Sequence, residues 1–179
     1  SSSASDVYKR QMDEIPSFNN QTTINAGSIQ VLSDARLELK NGFEIKLEDL
    51  NVNGDQAVFN KNKNSINEIL NGFISGQNYV SKFKKGSINP ITDEAILESG
   101  EVSFRNRNIK FGFKELKEST QDNFKIINTS FTSCTDTQKG WEVTADEVQL
   151  NDKSGRGLLK NLKVKLFDTT VFGFHVIPF

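Results

Sequence analysis

The fold class is decided by the stretch ARLELKNGFEIKL, residues 35–47. On each side of Asn41-Gly42, apolar residues alternate with charged ones, and this period of two places one apolar face of a β-strand against a partner layer. Asn-Gly is the pair that most readily supplies the two positive-φ residues of a tight type I′ turn. We therefore predict a β-hairpin that turns at Asn41-Gly42, and a second turn of the same kind at Asn53-Gly54.

Similar alternating runs continue along the chain. They include Val102 with Phe104, the triplet Ile109, Phe111 and Phe113, the triplet Trp141, Val143 and Ala145, and the triplet Leu162, Val164 and Leu166. The alternation changes phase at Asp146-Glu147, which predicts a β-bulge, and Gly155 with Gly157 predicts a turn. We count about ten short strands and no sustained period of 3.6 residues, so the predicted class is all-β. This spacing is compatible with a sandwich, a jelly roll or a β-solenoid.

Residues 61–72 are the one ambiguous stretch. Ser65 with Glu68 fits a capping box ahead of a short helical turn, and a polar hairpin loop fits equally well.

Composition excludes several classes of protein. The 22 basic and 23 acidic residues nearly balance, which argues against a nucleic-acid-binding protein. No apolar run is long enough for a transmembrane helix. Residues 1–11 lack apolar periodicity, and we interpret them as a foreign or disordered leader. The chain stops abruptly on apolar residues 176–179, so we interpret it as an internal fragment.

The sequence holds few residues suited to catalysis. It has a single cysteine, Cys134, and a single histidine, His175, and nothing in the sequence indicates that they meet. Too few ligands cluster for a zinc site, and Gly155-Arg156-Gly157 lies in a predicted hairpin rather than in a nucleotide-binding turn. We predict neither an enzyme nor a cofactor or metal. Cys134 is either a buried structural thiol or one half of a disulfide to another chain or a segment absent here.

The stretch from Asn128 onward carries a resemblance to a known family. Thr132-Ser133-Cys134, a polar gap, Trp141, an alternating strand and Ala145 follow in the order found in the lipopolysaccharide-assembly family of the LptD type. Val171-Phe172 matches the core of the segment that leads into the barrel in that family, with Thr170 and His175 in place of its usual prolines. The generic alternation upstream is similar to the OstA-type domains that this family shares with LptA and LptC.

The resemblance implies a fold and a domain organisation. It implies an OstA-like β-jelly-roll, or β-taco, over residues 12–167 and the start of a connection to an outer-membrane barrel over residues 168–179. It places the chain at the outer membrane on the periplasmic side. It also implies that Cys134 forms its disulfide with a cysteine beyond this chain.

The resemblance further implies a groove for lipid A acyl chains between two sheets. Exposing a twelve-carbon chain to water costs about 10 kcal/mol, at roughly 0.8 kcal/mol per methylene, and an apolar groove removes that cost. The groove candidates are Phe43, Ile45, Leu47, Phe104, Phe111, Phe113, Leu162, Val164 and Leu166.

The partners that the resemblance implies are lipopolysaccharide, an LptA-like periplasmic bridge that joins by strand addition near residues 22–31, and an LptE-like plug lipoprotein in the barrel. Two alternatives stay open: a soluble bridge protein of the LptA or LptC kind, and a β-solenoid adhesin or polysaccharide-binding module.

Overall fold

The computed structural model describes residues 22–105, 109–119, 123–131, 141–167 and 169–179. These residues form twelve antiparallel strands and no helix, which confirms the predicted all-β fold of antiparallel strands. The strands are β1 (Thr23–Ser33), β2 (Arg36–Leu47), β3 (Leu50–Gly54), β4 (Gln56–Asn60), β5 (Ser65–Ser75), β6 (Tyr79–Asn89), β7 (Glu94–Phe104), β8 (Ile109–Glu118), β9 (Asn123–Phe131), β10 (Trp141–Asn151), β11 (Arg156–Leu166) and β12 (Thr169–Pro178).

All twelve strands belong to one meandering sheet, in which neighbours in sequence are neighbours in space. β3 and β4 both lie between β2 and β5, so they act as one strand that is interrupted at Asp55. Among the described strands, β1 pairs with β2 alone and β12 pairs with β11 alone. The jelly-roll-like arrangement of two facing layers therefore arises by folding a single sheet upon itself.

The sheet is bent along a line that crosses every strand near its middle. We call this line the crease. Every second strand along the sheet carries a positive-φ residue there: Asn41, Asn71, Ser99, Asn128 and Asn161. This left-handed conformation is costly for most side chains, and asparagine tolerates it better than most. The crease residues point outward and bond along the line, as when Asn71 donates to Asp55 at 2.7 Å. The crease thus bends each strand without breaking the sheet.

The crease divides the sheet into two walls. Wall A comprises residues 23–26, 43–47, 50–54, 72–75, 79–83, 100–104, 109–113, 129–131, 141–145, 162–166 and 169–174. Wall B comprises residues 28–33, 36–40, 56–60, 65–70, 85–89, 94–98, 115–118, 123–127, 147–151, 156–160 and 176–178. Apolar side chains from both walls meet in one continuous core.

Ring contacts show that the walls face each other. Tyr79 on β6 and Phe124 on β9 are three strands apart, a distance of about 14 Å in a flat sheet at 4.8 Å per strand. Their ring centroids are nevertheless 5.2 Å apart. Only a folded sheet brings them together.

The predicted turns at the two Asn-Gly pairs are wrong. Asn41 and Gly42 do have positive φ, of 60° and 83°, but they lie within the continuous strand β2, opposite Gly27, where they form the first step of the crease. Asn53-Gly54 ends β3 next to the interruption at Asp55, and Gly54 has no positive φ. Two residues with positive φ can form a sharp bend within one strand as well as a turn between two strands.

Two other local predictions need correction. Of the two alternatives for residues 61–72, the polar hairpin loop is confirmed by the turn at residues 61–64, whereas the helical turn is wrong because Ser65 and Glu68 both lie in β5. The β-bulge predicted at Asp146 is also wrong, because β10 pairs with both β9 and β11 in one unshifted register. The alternation changes phase there because every strand bends at the crease. The predicted turn at Gly155 is confirmed, with a φ of 72°.

Candidate functional site

The nine predicted groove residues all lie on wall A and face the interior. Their alternation places them there because the side chains between them, such as Glu44 and Lys163, point outward. Six are buried, Leu47 and Val164 are half-buried, and Leu166 is exposed; the buried six are Phe43, Ile45, Phe104, Phe111, Phe113 and Leu162. That these residues touch lipid stays a prediction.

The interior is closed from β2 to β10. Side chains of wall B cover those of wall A over this span, and many residues are completely buried, among them Leu39, Phe59, Leu97, Ile126 and Val148. Apolar side chains of the two walls therefore contact each other over this part of the interior.

The interior is open at β11 and β12. The register pairs Phe172 with Val164 and Phe174 with Leu162, so these two phenylalanines extend the inner face of wall A by one strand. They are nevertheless 63% and 51% exposed. The apolar inner face thus continues from the closed core to the last described strand, where nothing in the described chain covers it.

Wall B contributes to the same open end. Ile177 pairs with Leu159, which packs against the core, and Phe179 exchanges two backbone hydrogen bonds with Gly157, at 2.8 and 3.0 Å. The Phe179 ring lies directly over Gly157, which has no side chain to displace it. Four apolar side chains of β12 and its end therefore line both walls of the open part.

A row of aromatic rings connects the closed and open parts along wall A. Tyr79, Phe104, Phe111, Phe131 and Trp141 come from five successive strands, β6 to β10, and each ring lies 5.9–6.3 Å from the next. Trp141 ends the row, half-buried and paired in register with Leu166. The sequence did not single out Tyr79, Phe131 or the ring contacts, because no local pattern indicates which strands become neighbours.

A cleft of about 520 Å³ lies on the side of the sheet away from the crease, where the free ends of the walls come together. Its apolar floor includes Leu50, Tyr79, Ile88 and Phe124. Its rim holds the carboxylates of Glu48, Asp49, Asp93, Glu94 and Glu118.

One hydrogen bond joins the walls at this cleft. The Tyr79 hydroxyl on wall A donates to Glu118 Oε2 on wall B at 2.7 Å. Burial raises the pKa of Tyr79 well above its usual value of 10, and the nearby charge of Glu118 raises it further. The phenol is therefore neutral at all physiological pH values and remains a donor.

The outer surface carries an ion network at the boundary between the closed and open parts. Glu147 on β10 contacts Lys125 on β9 at 3.0 Å and Lys160 on β11 at 2.7 Å. The hydrogen bond from Lys160 contributes most to lowering the pKa of Glu147, and those from Gln149 and Lys125 add to it, bringing the pKa to about 2. This network joins three adjacent strands.

Other predicted features fall in different places. β1 is an edge strand, as the docking prediction for residues 22–31 requires, and docking itself stays a prediction. Cys134 and residues 1–11 lie outside the described residues. His175 lies on the crease of β12, where its Nδ1 is 2.7 Å from Asn161 Oδ1. Residues 169–178, predicted to begin a connection to a barrel, form β12 of the same sheet.

The described residues contain no group of three or more potential metal ligands. No helix among them is long and apolar enough to cross a membrane.

A missed sequence signal would have located the crease. Its positive-φ residues recur about every 30 residues, from Asn41 to Asn161, which corresponds to one per pair of strands. Asparagine within alternating runs marks bends as well as turns.

Comparison with known proteins gives a weak similarity to a relative and no family match. No family model matches the chain. The chain is 22% identical over 149 residues to the LPS-assembly protein LptD of Pseudoalteromonas translucida strain TAC 125. The alignment covers 83% of this chain and 20% of that protein, so the chain spans about a fifth of its relative's length. This similarity, at 22% identity, supports in part the resemblance to the LptD type.

Proposed function

We propose that the chain takes part in lipopolysaccharide transport and assembly at the outer membrane, where its folded sheet faces the periplasm. The observation that carries this proposal is the apolar inner face that continues from the closed core to β12 and is exposed there. The name of its relative, LPS-assembly protein LptD, supports the choice of cargo.

The inner face suits the acyl chains of such a lipid. Burying a methylene gains about 0.8 kcal/mol, so a twelve-carbon chain needs an apolar surface many residues long. Phe172, Phe174, Val164 and Leu166 provide such a surface at the open end, next to the aromatic row. Movement of a lipid along an apolar surface requires no catalytic group, so we propose a passive conduit and not an enzyme.

We propose that an LptA-like bridge protein delivers the lipid by adding a strand to β1, which pairs with β2 alone among the described strands. The lipid would then pass towards a barrel and an LptE-like plug beyond this chain.

Photocrosslinking to lipopolysaccharide tests the proposal. A photoreactive phenylalanine is placed at Val164 and Phe174, which face inward, and at two outward control positions, Lys163 and Val176. Val176 is a close control because it is apolar and 48% exposed but lies on the outer face. Far-ultraviolet circular dichroism confirms that each variant is folded before labelling.

We expect lipopolysaccharide adducts at Val164 and Phe174 and none at Lys163 and Val176. Equal labelling on both faces would indicate adsorption to any apolar residue. No adducts at any position in a folded chain would overturn the proposal.

A further inference from the structure

One aromatic side chain of wall B holds the two walls together. Among the described ring pairs, Phe124 is the only member from wall B, and it makes edge-to-face contacts with Tyr79 at 5.2 Å and Phe104 at 5.0 Å. The other four pairs link rings within wall A. Contact between the walls at this end of the sheet therefore depends on Phe124 more than on any other ring.

A hydrogen bond reinforces this contact. Tyr79 reaches across to Glu118, the last residue of β8, while its ring contacts Phe124. A bond of a buried phenol to a carboxylate is stronger than one between neutral groups. Tyr79, Phe104, Phe124 and Glu118 thus form a unit that joins wall A to wall B, which we call the clamp.

The clamp lies between a cleft and a row of packed rings. On one side is the cleft of about 520 Å³, which Tyr79, Phe124 and Glu118 line. On the other side is the aromatic row, which leads from Phe104 through Phe111 and Phe131 to the open end. Separation of Phe124 from Tyr79 and Phe104 would connect the cleft with the row.

We propose that the clamp is a gate in the lipid path between β1 and the open end: while it is closed, acyl chains contact the open end at β11 and β12 but not Phe111, and they pass between β1 and the open end only when the walls separate at Phe124. This inference rests on the proposed function and adds to it the side chains that decide how far the lipid enters. Opening the clamp breaks two ring pairs and one hydrogen bond and separates the apolar side chains packed around them. None of these contacts is a backbone hydrogen bond of the sheet, so opening leaves the pairing of the strands in place.

The experiment compares lipid labelling at Phe111, which is 7% exposed, with labelling at Val164 in the same chain. Each position receives the photoreactive side chain in four backgrounds: unmodified, Phe124→Leu, Tyr79→Phe and Phe59→Leu. Phe59→Leu is the matched control, because Phe59 is also a buried phenylalanine of wall B but makes none of the described ring contacts. The probe is purified lipopolysaccharide.

We expect Phe111 to label weakly in the unmodified chain. Phe124→Leu should raise that labelling about five- to tenfold, since loss of two ring pairs shifts an opening equilibrium by that factor. Tyr79→Phe keeps the ring and removes only the hydrogen bond, and we expect a rise of about threefold. Phe59→Leu should leave Phe111 labelling unchanged, and Val164 should label equally in all four backgrounds.

Three results would contradict the gate. Strong labelling of Phe111 in the unmodified chain would mean that the interior is already open. An equal rise with Phe59→Leu would mean that general loosening of the core admits the lipid. Unchanged labelling at Phe111 in both clamp variants, while Val164 labels, would overturn the gate and leave the proposed function standing. Absence of labelling at Val164 as well would overturn the proposed function itself.

Discussion

Strands β2 to β10 and the last two strands, β11 and β12, have the same alternation of apolar and polar residues. Their inward-facing apolar side chains differ in exposure to solvent. Leu97 in the closed part is fully buried, whereas Phe172 on β12 in the open part is 63% exposed, although both face the interior of the fold. The difference arises because inner side chains of the closed part have neighbours on both adjacent strands and on the facing wall. Those of β12 have described neighbours on one side only.

This comparison separates two uses of apolar side chains. In the closed part they stabilise the fold, because contact with the other wall removes their surface from water. In the open part they contribute little to stability and are free to contact a ligand or another strand. Exposed apolar surface of this kind commonly marks an interaction site.

The largest difference in stability is expected between variants of two phenylalanines, one in the closed part and one in the open part. Phe59→Ala should lower the free energy of unfolding by about 3 to 5 kcal/mol, because it leaves a cavity in a fully packed site. Phe172→Ala, at a side chain that is already largely in water, should lower it by less than about 1 kcal/mol. Urea denaturation followed by circular dichroism measures both. A large loss for Phe172→Ala would show that β12 is packed in solution and that the interior is closed throughout.

Two glycines, one in the closed part and one in the open part, allow the same comparison of packing around the backbone. A Cβ at Gly100 on β7 would collide with the Lys82 carbonyl oxygen and the Phe113 ring, so Gly100→Ala should cost about 1 to 3 kcal/mol through overpacking. At Gly173 on β12 the nearest atom, the Leu162 carbonyl oxygen, is 3.8 Å away, and Gly173→Ala should be nearly neutral. Thermal unfolding of the two variants checks this. Equal midpoints would mean that the close packing at β7 relaxes at no cost.

The smallest effect concerns the boundary between the two parts. Glu147 has a folded-state pKa of about 2, below its usual 4.5, so its contribution is fully present above pH 4.5 and is lost as the pH falls towards 2. Glu147→Gln should therefore lower the free energy of unfolding by about 1 kcal/mol at pH 7, since partly exposed lysines screen the interaction. Denaturation at pH 7 and at pH 2.5 measures the change.

The matched control for this prediction is Glu101→Gln. Among the described ion pairs, Glu101 joins only Lys110, at 2.6 Å, and both side chains are exposed. We expect Glu101→Gln to change the free energy of unfolding by less than about 0.5 kcal/mol at pH 7. If both variants lose the same free energy, the three-strand network adds nothing beyond an ordinary surface pair.

Local pattern was sufficient to predict the strands and the orientation of their side chains. The alternation within residues 35–47, 102–104, 109–113 and 162–166 placed all nine groove candidates on the inner face, because successive side chains of a strand point to opposite sides. That property depends only on neighbours in sequence, and it survives any way of folding the sheet.

Local pattern was not sufficient at the bends. Asn41-Gly42 requires positive φ in a turn and also in the crease, so the two residues alone could not distinguish them. The pairing of β1 with β2 on both sides of Asn41-Gly42 decides the matter, and that pairing forms only in the complete sheet. Ser65 and Glu68 likewise fit a helix start until β4 and β6 pair with β5 on both sides.

The sequence by itself therefore determined that the chain forms antiparallel strands with one apolar face. Only the tertiary structure decided that this face is closed at Phe59 and open at Phe172, and that Tyr79 meets Phe124 across the fold. The reason is the range of the interactions. Strand alternation is set over two residues, whereas the burial of a side chain and the contact between two walls depend on residues far apart in the chain that meet only when the sheet folds at its crease.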